Sequence, residues 1–311
     1  MNPVVEPFIG QPWLTYTDSE PSQRAVEVAL PETLRRSREY PLMPGVVLDF
    51  IDDSTPEGLV REDHDVNGQN LYVYRNQSTP ADEKRVVFYV HGGGFIRGNG
   101  PYCRAAGILH AQQLGLPCVV CEYRTAPEFR YPVLADDVYA AWRYLVGELG
   151  YDPADVIVSG DSAGGTLSGS LLHRLKRLGE PLPGRWILVS PALDFTRELP
   201  AHKLNAAIDP VFDQGLPAEA VAVWVDLDLV RDPEVSPYRG DLSGFPPTYF
   251  VSGEREILLS DTLETAAKLH AAGIRVQAHV WRGLWHDFIT DDPEMPESLA
   301  TFEEVRQFLA S

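Results

Sequence analysis

Val156-Ile-Val-Ser-Gly-Asp-Ser-Ala-Gly-Gly165 is a run in which strand-forming residues meet a tight turn without a break. Its centre, Gly160-Asp161-Ser162-Ala163-Gly164, fits G-x-S-x-G. Residues 166–178 follow with Leu167, Leu171, Leu172, Leu175 and Leu178 at helical spacing. Strand, turn and helix in this order give the motif its meaning, because the turn strains the serine backbone and tolerates only small neighbours. Gly160, Ala163 and Gly164 satisfy that demand. Such a turn lifts the Ser162 hydroxyl clear of a sheet and aims the first helix amides at whatever it attacks. A phosphate-binding turn of another α/β protein reads the same way, and the bare motif is common by chance. Other segments have to discriminate.

Upstream, residues 85–90 form an apolar strand that ends in His91-Gly92-Gly93-Gly94-Phe95. Three consecutive glycines at the end of a strand let the backbone approach a ligand closely. The amides of these glycines, joined by that of Ala163, then suit an oxyanion hole, the largest electrostatic contribution to acyl transfer. The alternative is a flexible glycine turn, which the elbow some seventy residues on makes far less attractive. His91 precedes the glycines at the strand end and reads as a residue that hydrogen-bonds the loop rather than as a base.

A serine nucleophile of this kind takes its acid and its histidine from later in the chain. Five histidines follow Ser162: His173, His202, His270, His279 and His286. His173 and His270 fall within helical stretches and His279 within a strand, which suits packing or surface roles. His202 lies in an irregular segment and is a candidate to line a pocket. His286, in Arg282-Gly-Leu-Trp-His-Asp-Phe288, follows the last strand on a loop and is the candidate base. For the acid, Gly253-Glu-Arg-Glu-Ile-Leu-Leu-Ser-Asp261 offers Glu254, Glu256 and Asp261, with Asp194 as an outsider. Asp261 reads as an ordinary helix-start charge and Glu254 as a solvated one. Glu256, followed by Ile257 and Leu258 that can anchor the loop, is preferred.

The rest of the chain has the rhythm of strands and helices in alternation. Strands are expected at 46–51, 70–74, 85–90, 118–123, 185–190, 248–252 and 276–281, and helices at 102–115, 134–149, 166–178, 260–272 and 297–309. This alternation predicts a mainly parallel sheet with helices on both faces. Residues 1–40, rich in proline and carrying an amphipathic stretch over 20–40, have too little apolar content to fold alone. Residues 195–240 break the rhythm without a strand, and long insertions of this kind commonly carry function. Together the two segments are expected to form a lid.

The chain of 311 residues is long enough for one large α/β domain. A formal charge of −19 argues against nucleic acid or an anionic membrane as partner. Cys103, Cys118 and Cys121 read as buried thiols in a reducing compartment, and an isolated C-x-x-C is a weak metal signal. No signal peptide and no run of transmembrane length is visible, so a cytoplasmic location is expected.

Taken together, several linked motifs resemble the hormone-sensitive-lipase-like branch of the α/β-hydrolases, the bacterial family IV esterases. They are His91–Phe95, Glu122-Tyr-Arg-Thr-Ala-Pro-Glu128 with Tyr131-Pro132 and Asp136-Asp137, the elbow at 160–165, and the stretch from Ser236-Pro237 to Pro246-Pro247. The resemblance spans residues 85–288. It implies an α/β-hydrolase fold with a mainly parallel eight-stranded sheet in a single domain over 1–311, capped by about 1–40 and 195–240. It implies Ser162 as nucleophile, His286 as base, Gly93, Gly94 and Ala163 as oxyanion donors, and no metal or cofactor. The family's acid is usually aspartate, in many members thirty residues before the histidine, which falls here on Glu256. His286-Asp287 departs from the usual His-Gly. The expected activity is hydrolysis of short-to-medium acyl esters through an acyl-enzyme, with lactone, amide or carbamate cleavage and biosynthetic elimination as alternatives. A non-catalytic receptor is disfavoured by His286. The partner is a small-molecule ester, and a homodimer is compatible with the chain. Phe95, Trp13, Phe212, Trp224 and His202 are the candidate pocket residues, with core packing as the alternative for the aromatics.

Overall fold

The apolar runs β4 (Val86–Val90) and β6 (Val156–Asp161) lie side by side and parallel, with Val90 opposite Gly160. Two strands that finish at the same level deliver their following loops to the same place, so the triple glycine and the elbow meet at the carboxyl edge of the sheet. The computed structural model describes residues 2–17, 52–212 and 215–311. Around this central pair stand β1 (Leu14–Thr17), β2 (Leu59–Val66), β3 (Gln69–Asn76), β5 (Cys118–Cys121), β7 (Arg185–Val189), β8 (Thr248–Gly253) and β9 (Val276–Trp281). The sheet order is β1-β9-β8-β7-β6-β4-β5-β3-β2, antiparallel only where β3 meets β2 and β5.

Period-two alternation sorts each strand between two core layers. In β4, Val86, Phe88 and Val90 face one layer while Val87 and Tyr89 face the other. The first layer is closed by α2 (Val133–Gly147), α3 (Ala163–Leu178) and α6 (Leu259–Ala271), and the second by α1 (Pro101–Leu114) and α8 (Pro296–Ala310). Cys118 and Cys121 sit three residues apart on β5, so their thiols point into opposite layers and cannot share a ligand. All three cysteines are free and buried. Among the described residues no helix is long and apolar enough to cross a membrane.

Among the described residues the sheet has nine strands, where eight were expected over the whole chain. β1 comes from the segment assigned to the lid and pairs in parallel with β9, Leu14 opposite Ala278. β2 carries Arg61, Glu62, Asp63 and Asp65, a charge density suited to an exposed edge, and that density conceals the strand in the sequence. Its signal is the turn Asn67-Gly68, both at positive φ, which joins it to β3 as a two-residue hairpin. The strand expected at 46–51 and the amphipathic stretch at 20–40 lie outside the described residues. The segment 195–240 is irregular, its described residues holding the short helices α4 (Ala201–Leu204) and α5 (Ala218–Ala222) and isolated 3-10 turns.

Candidate active site

Ser162 stands between β6 and α3 with φ 49° and ψ −118°, a strained conformation for a residue with a side chain. The surroundings over-determine it: its N–H donates to the Val189 carbonyl and its own carbonyl accepts from Gly165 and Ala192. Gly164 is compulsory here, since a Cβ at that position would lie 1.9 Å from the Val90 carbonyl oxygen. Ala163 opens α3, so its N–H lacks an intrahelical acceptor and points where the helix dipole is positive.

Ser162 Oγ lies 3.0 Å from His286 Nε2, and His286 Nδ1 lies 3.2 Å from Glu256 Oε2. All three side chains are buried. His286 arrives on the loop between β9 and α7 (Phe288–Asp291), and Glu256 on the turn after β8. Glu256 Oε1 accepts from Ser190 Oγ at 2.7 Å and from the Gly253 amide. Burial raises the Glu256 pKa, opposed by the hydrogen bond and charge of His286 and by the Ser190 and Gly253 donors. The loop carrying the acid is clamped by the 195–240 segment: Asn205 Nδ2 donates to the carbonyls of Glu254 and Glu256, and Asp209 Oδ2 accepts from the Ile257 amide at 2.7 Å.

Gly93 and Gly94 border the same cavity as Ser162. Gly93 has φ 104°, and a Cβ there would lie 2.2 Å from the Arg97 carbonyl oxygen, so this loop conformation excludes a side chain. Asp161, the variable position of G-x-S-x-G, fixes the glycine loop from below. Its carboxylate accepts from the Gly92 amide at 2.8 Å, from Tyr102 at 3.0 Å and from Tyr89. Burial foremost, then the Asp287 charge, push its pKa up to about 6. The motif leaves that position open, so nothing in the sequence singled it out. His91 is a loop-holding residue, stacked on Tyr123 and hydrogen-bonded through Nε2 to Asn99.

Two acids differ from their sequence reading. Asp261 does stand in the first turn of α6, but it is not an ordinary helix-start charge. It is fully buried, and its Oδ1 accepts from the amides of Leu193 and Asp194 while Oδ2 contacts His202 Nε2 at 2.9 Å. Glu254 is not merely solvated, since it accepts from Tyr16 and from the Gly283 amide. The remaining outsider, Asp194, is paired with Arg239.

The cavity beside Ser162 measures about 120 Å³ and is lined on one side by Val211 and Phe212, whose ring lies edge-on to His286 with centroids 4.9 Å apart. Phe212 is therefore at the cavity; the other four pocket candidates are elsewhere. Phe95 and Trp224 stack on each other at 3.8 Å inside the core. His202 is consumed by Asp261. Trp13 borders a separate depression with His270 and Val276, at the start of β9. Residues that sequence reasoning missed, Arg97, Tyr102, Thr290 and Asp291, complete the polar side together with Asp287. They carry no local signature, because only the tertiary arrangement turns them toward the serine.

A sequence profile described as the alpha/beta hydrolase fold matches residues 87–290. An esterase of Acinetobacter venetianus is 32% identical over 232 residues, covering 74% of this chain and 76% of that protein. The Mycobacterium tuberculosis esterase LipU is 31% identical over 238 residues, covering 74% and 79%. Among solved structures, an esterase from the bacterial hormone-sensitive lipase family superposes with TM-score 0.78 at 27% identity, over 94% of this chain and 98% of that one. EstE5, in a crystal soaked with p-nitrophenyl butyrate, gives TM-score 0.78 at 26% identity, over 91% and 99%.

Proposed function

The chain belongs to the α/β-hydrolase family, in its hormone-sensitive-lipase-like branch of esterases, and from that membership we propose a serine carboxylesterase acting on short acyl esters. Ser162 Oγ attacks the ester carbonyl while His286 Nε2 takes its proton. Glu256 holds the imidazole by Nδ1 and stabilises the imidazolium. The amides of Gly93, Gly94 and Ala163 receive the oxyanion, in a buried site where preorganised donors count for most. His286 returns the proton to the departing alcohol, and water activated by the same nitrogen then hydrolyses the acyl-enzyme. The observation that carries this reading is the unbroken relay Ser162 Oγ, His286, Glu256 at 3.0 and 3.2 Å.

The cavity sets the acyl size. At about 120 Å³ it is smaller than the engineered cavity of ~150 Å³ that holds benzene, so acetyl to butyryl chains fit best. The soaking of EstE5 with p-nitrophenyl butyrate fits that range. Residues 195–240, which supply Val211 and Phe212, act as part of a cap. A p-nitrophenyl ester series tests the reading: turnover is expected to peak at short chains with a burst of nitrophenol, and Ser162→Ala is expected to abolish both. Undiminished turnover in Ser162→Ala overturns it.

A further inference from the structure

His286 Nε2 has two partners on its reacting side. Ser162 Oγ is 3.0 Å away, and Asp287 Oδ2 is 3.1 Å away. The serine can give a proton to a bare nitrogen, whereas a carboxylate oxygen at that distance repels one. The Asp287 contact becomes favourable only when a proton lies between the two atoms, on the imidazole or on the carboxyl. In either form the lone pair that Ser162 needs is occupied.

Asp287 is not a loose surface charge that can swing away. It sits in the left-handed region at φ 57°, and its N–H donates to Ser190 Oγ at 3.1 Å. The same Ser190 hydroxyl donates to Glu256, so the acid and Asp287 are fixed through one side chain. Asp287 Oδ1 is buried and makes no hydrogen bond among the described residues. A buried carboxylate oxygen left unsatisfied is costly, which strengthens the demand for a proton on the other oxygen's partner.

We propose that Asp287 is a positioning residue that restrains the general base: its carboxylate shares a proton with His286 Nε2 in competition with Ser162, and the base is armed only when that proton leaves. The inference rests on the esterase reading above. The carboxylates around the pair act in the same direction, each favouring a proton between His286 and Asp287. Glu256 faces Nδ1, Asp161 approaches from beneath the elbow with Tyr102 and Tyr89 on it, and Asp291 follows on α7. Arg97 borders the cavity from the glycine loop. Burial by itself lowers the His286 pKa, but the charge and hydrogen bonding of Asp287, then those of Glu256, outweigh it and leave it well above the usual value. Burial raises Asp287 as well, opposed by His286. Two such groups titrate as a pair rather than singly.

The consequence is an acidic limb of kcat/KM displaced toward alkaline pH. The sign follows from the base being active only when unprotonated, so removal of Asp287 lowers the limb. Asp287→Gly and Asp287→Asn both tolerate the left-handed backbone. The pH dependence of kcat/KM on p-nitrophenyl acetate, and the NMR titration of the His286 ring, are measured for wild type and both variants. An opposite charge this close moves a pKa by about 1–3 units, so both midpoints are expected to fall by that much. A limb and a ring titration that stay within about 0.3 unit of wild type in both variants overturn the proposal. Ser162→Ala separates the two levels. If it is inactive while the limb stays fixed, only the role of Asp287 fails; if it remains active, the esterase reading itself fails.

Discussion

Glu256 and Asp261 are both buried carboxylates beside a histidine, yet their partners assign them different work. Glu256 meets the imidazole that reaches Ser162. Asp261 meets His202, which is not among the residues lining the cavity beside Ser162, and spends its other oxygen on two backbone amides. Glu256→Gln is therefore expected to fold with little change in melting temperature and to lose roughly 10²–10⁴ in kcat, as loss of an orienting acid does in other triads. Asp261→Ala is expected to do the reverse. It leaves an imidazole and two amides without their carboxylate and costs about 3–5 kcal/mol in denaturant unfolding, with kcat of the folded enzyme largely kept. Severe loss of turnover in stably folded Asp261→Ala, with Glu256→Gln silent, would exchange the two assignments.

The 195–240 segment has little regular structure, and its conformation is set by what it grips. Asn205 and Asp209 hold the acid loop, and the two residues after Pro210, Val211 and Phe212, form the apolar wall of the cavity. Phe212 is half-buried rather than part of a close-packed core, so truncating it opens space at modest cost in stability. Phe212→Ala is expected to shift acyl preference to longer chains, raising the octanoate-to-acetate ratio of kcat/KM by roughly tenfold, a size typical of apolar pocket contacts. An unchanged ratio would mean that the acyl chain runs along another wall.

For the molecule as a whole, the crowded carboxylates beneath the elbow leave a mark on stability as a function of pH. Asp161 has a folded pKa near 6, above the value of about 4 for an exposed aspartate. Between those two values the folded state binds more protons than the unfolded one, so this group's contribution is stabilising below about pH 4 and is lost as pH rises through about 6. Wild type is thus expected to lose stability relative to Asp161→Asn across that window, in urea unfolding at a series of pH values. A constant difference between the two proteins would show that Asp161 stays ionised throughout.

Local chemistry made much of this legible in the amino-acid sequence. A strained elbow needs small residues on both sides, a triple glycine announces close backbone approach, and buried helices and strands repeat at their own periods. Ser162, Gly93, Gly94, His286 and Glu256 were named from such signals and from a family resemblance, and the structure gathers them around one cavity or relay. The edge strands escaped because pairing rather than apolar content makes them: β1 exists through β9, and β2 through its hairpin. Tertiary structure alone decided that Asp261 is buried with His202, that Trp13 and Trp224 do not line the cavity beside Ser162, and that Asp287 borders His286 Nε2. Each of these depends on how segments far apart in the chain are turned toward one another, and a side chain's neighbours across such distances leave no trace in the residues beside it.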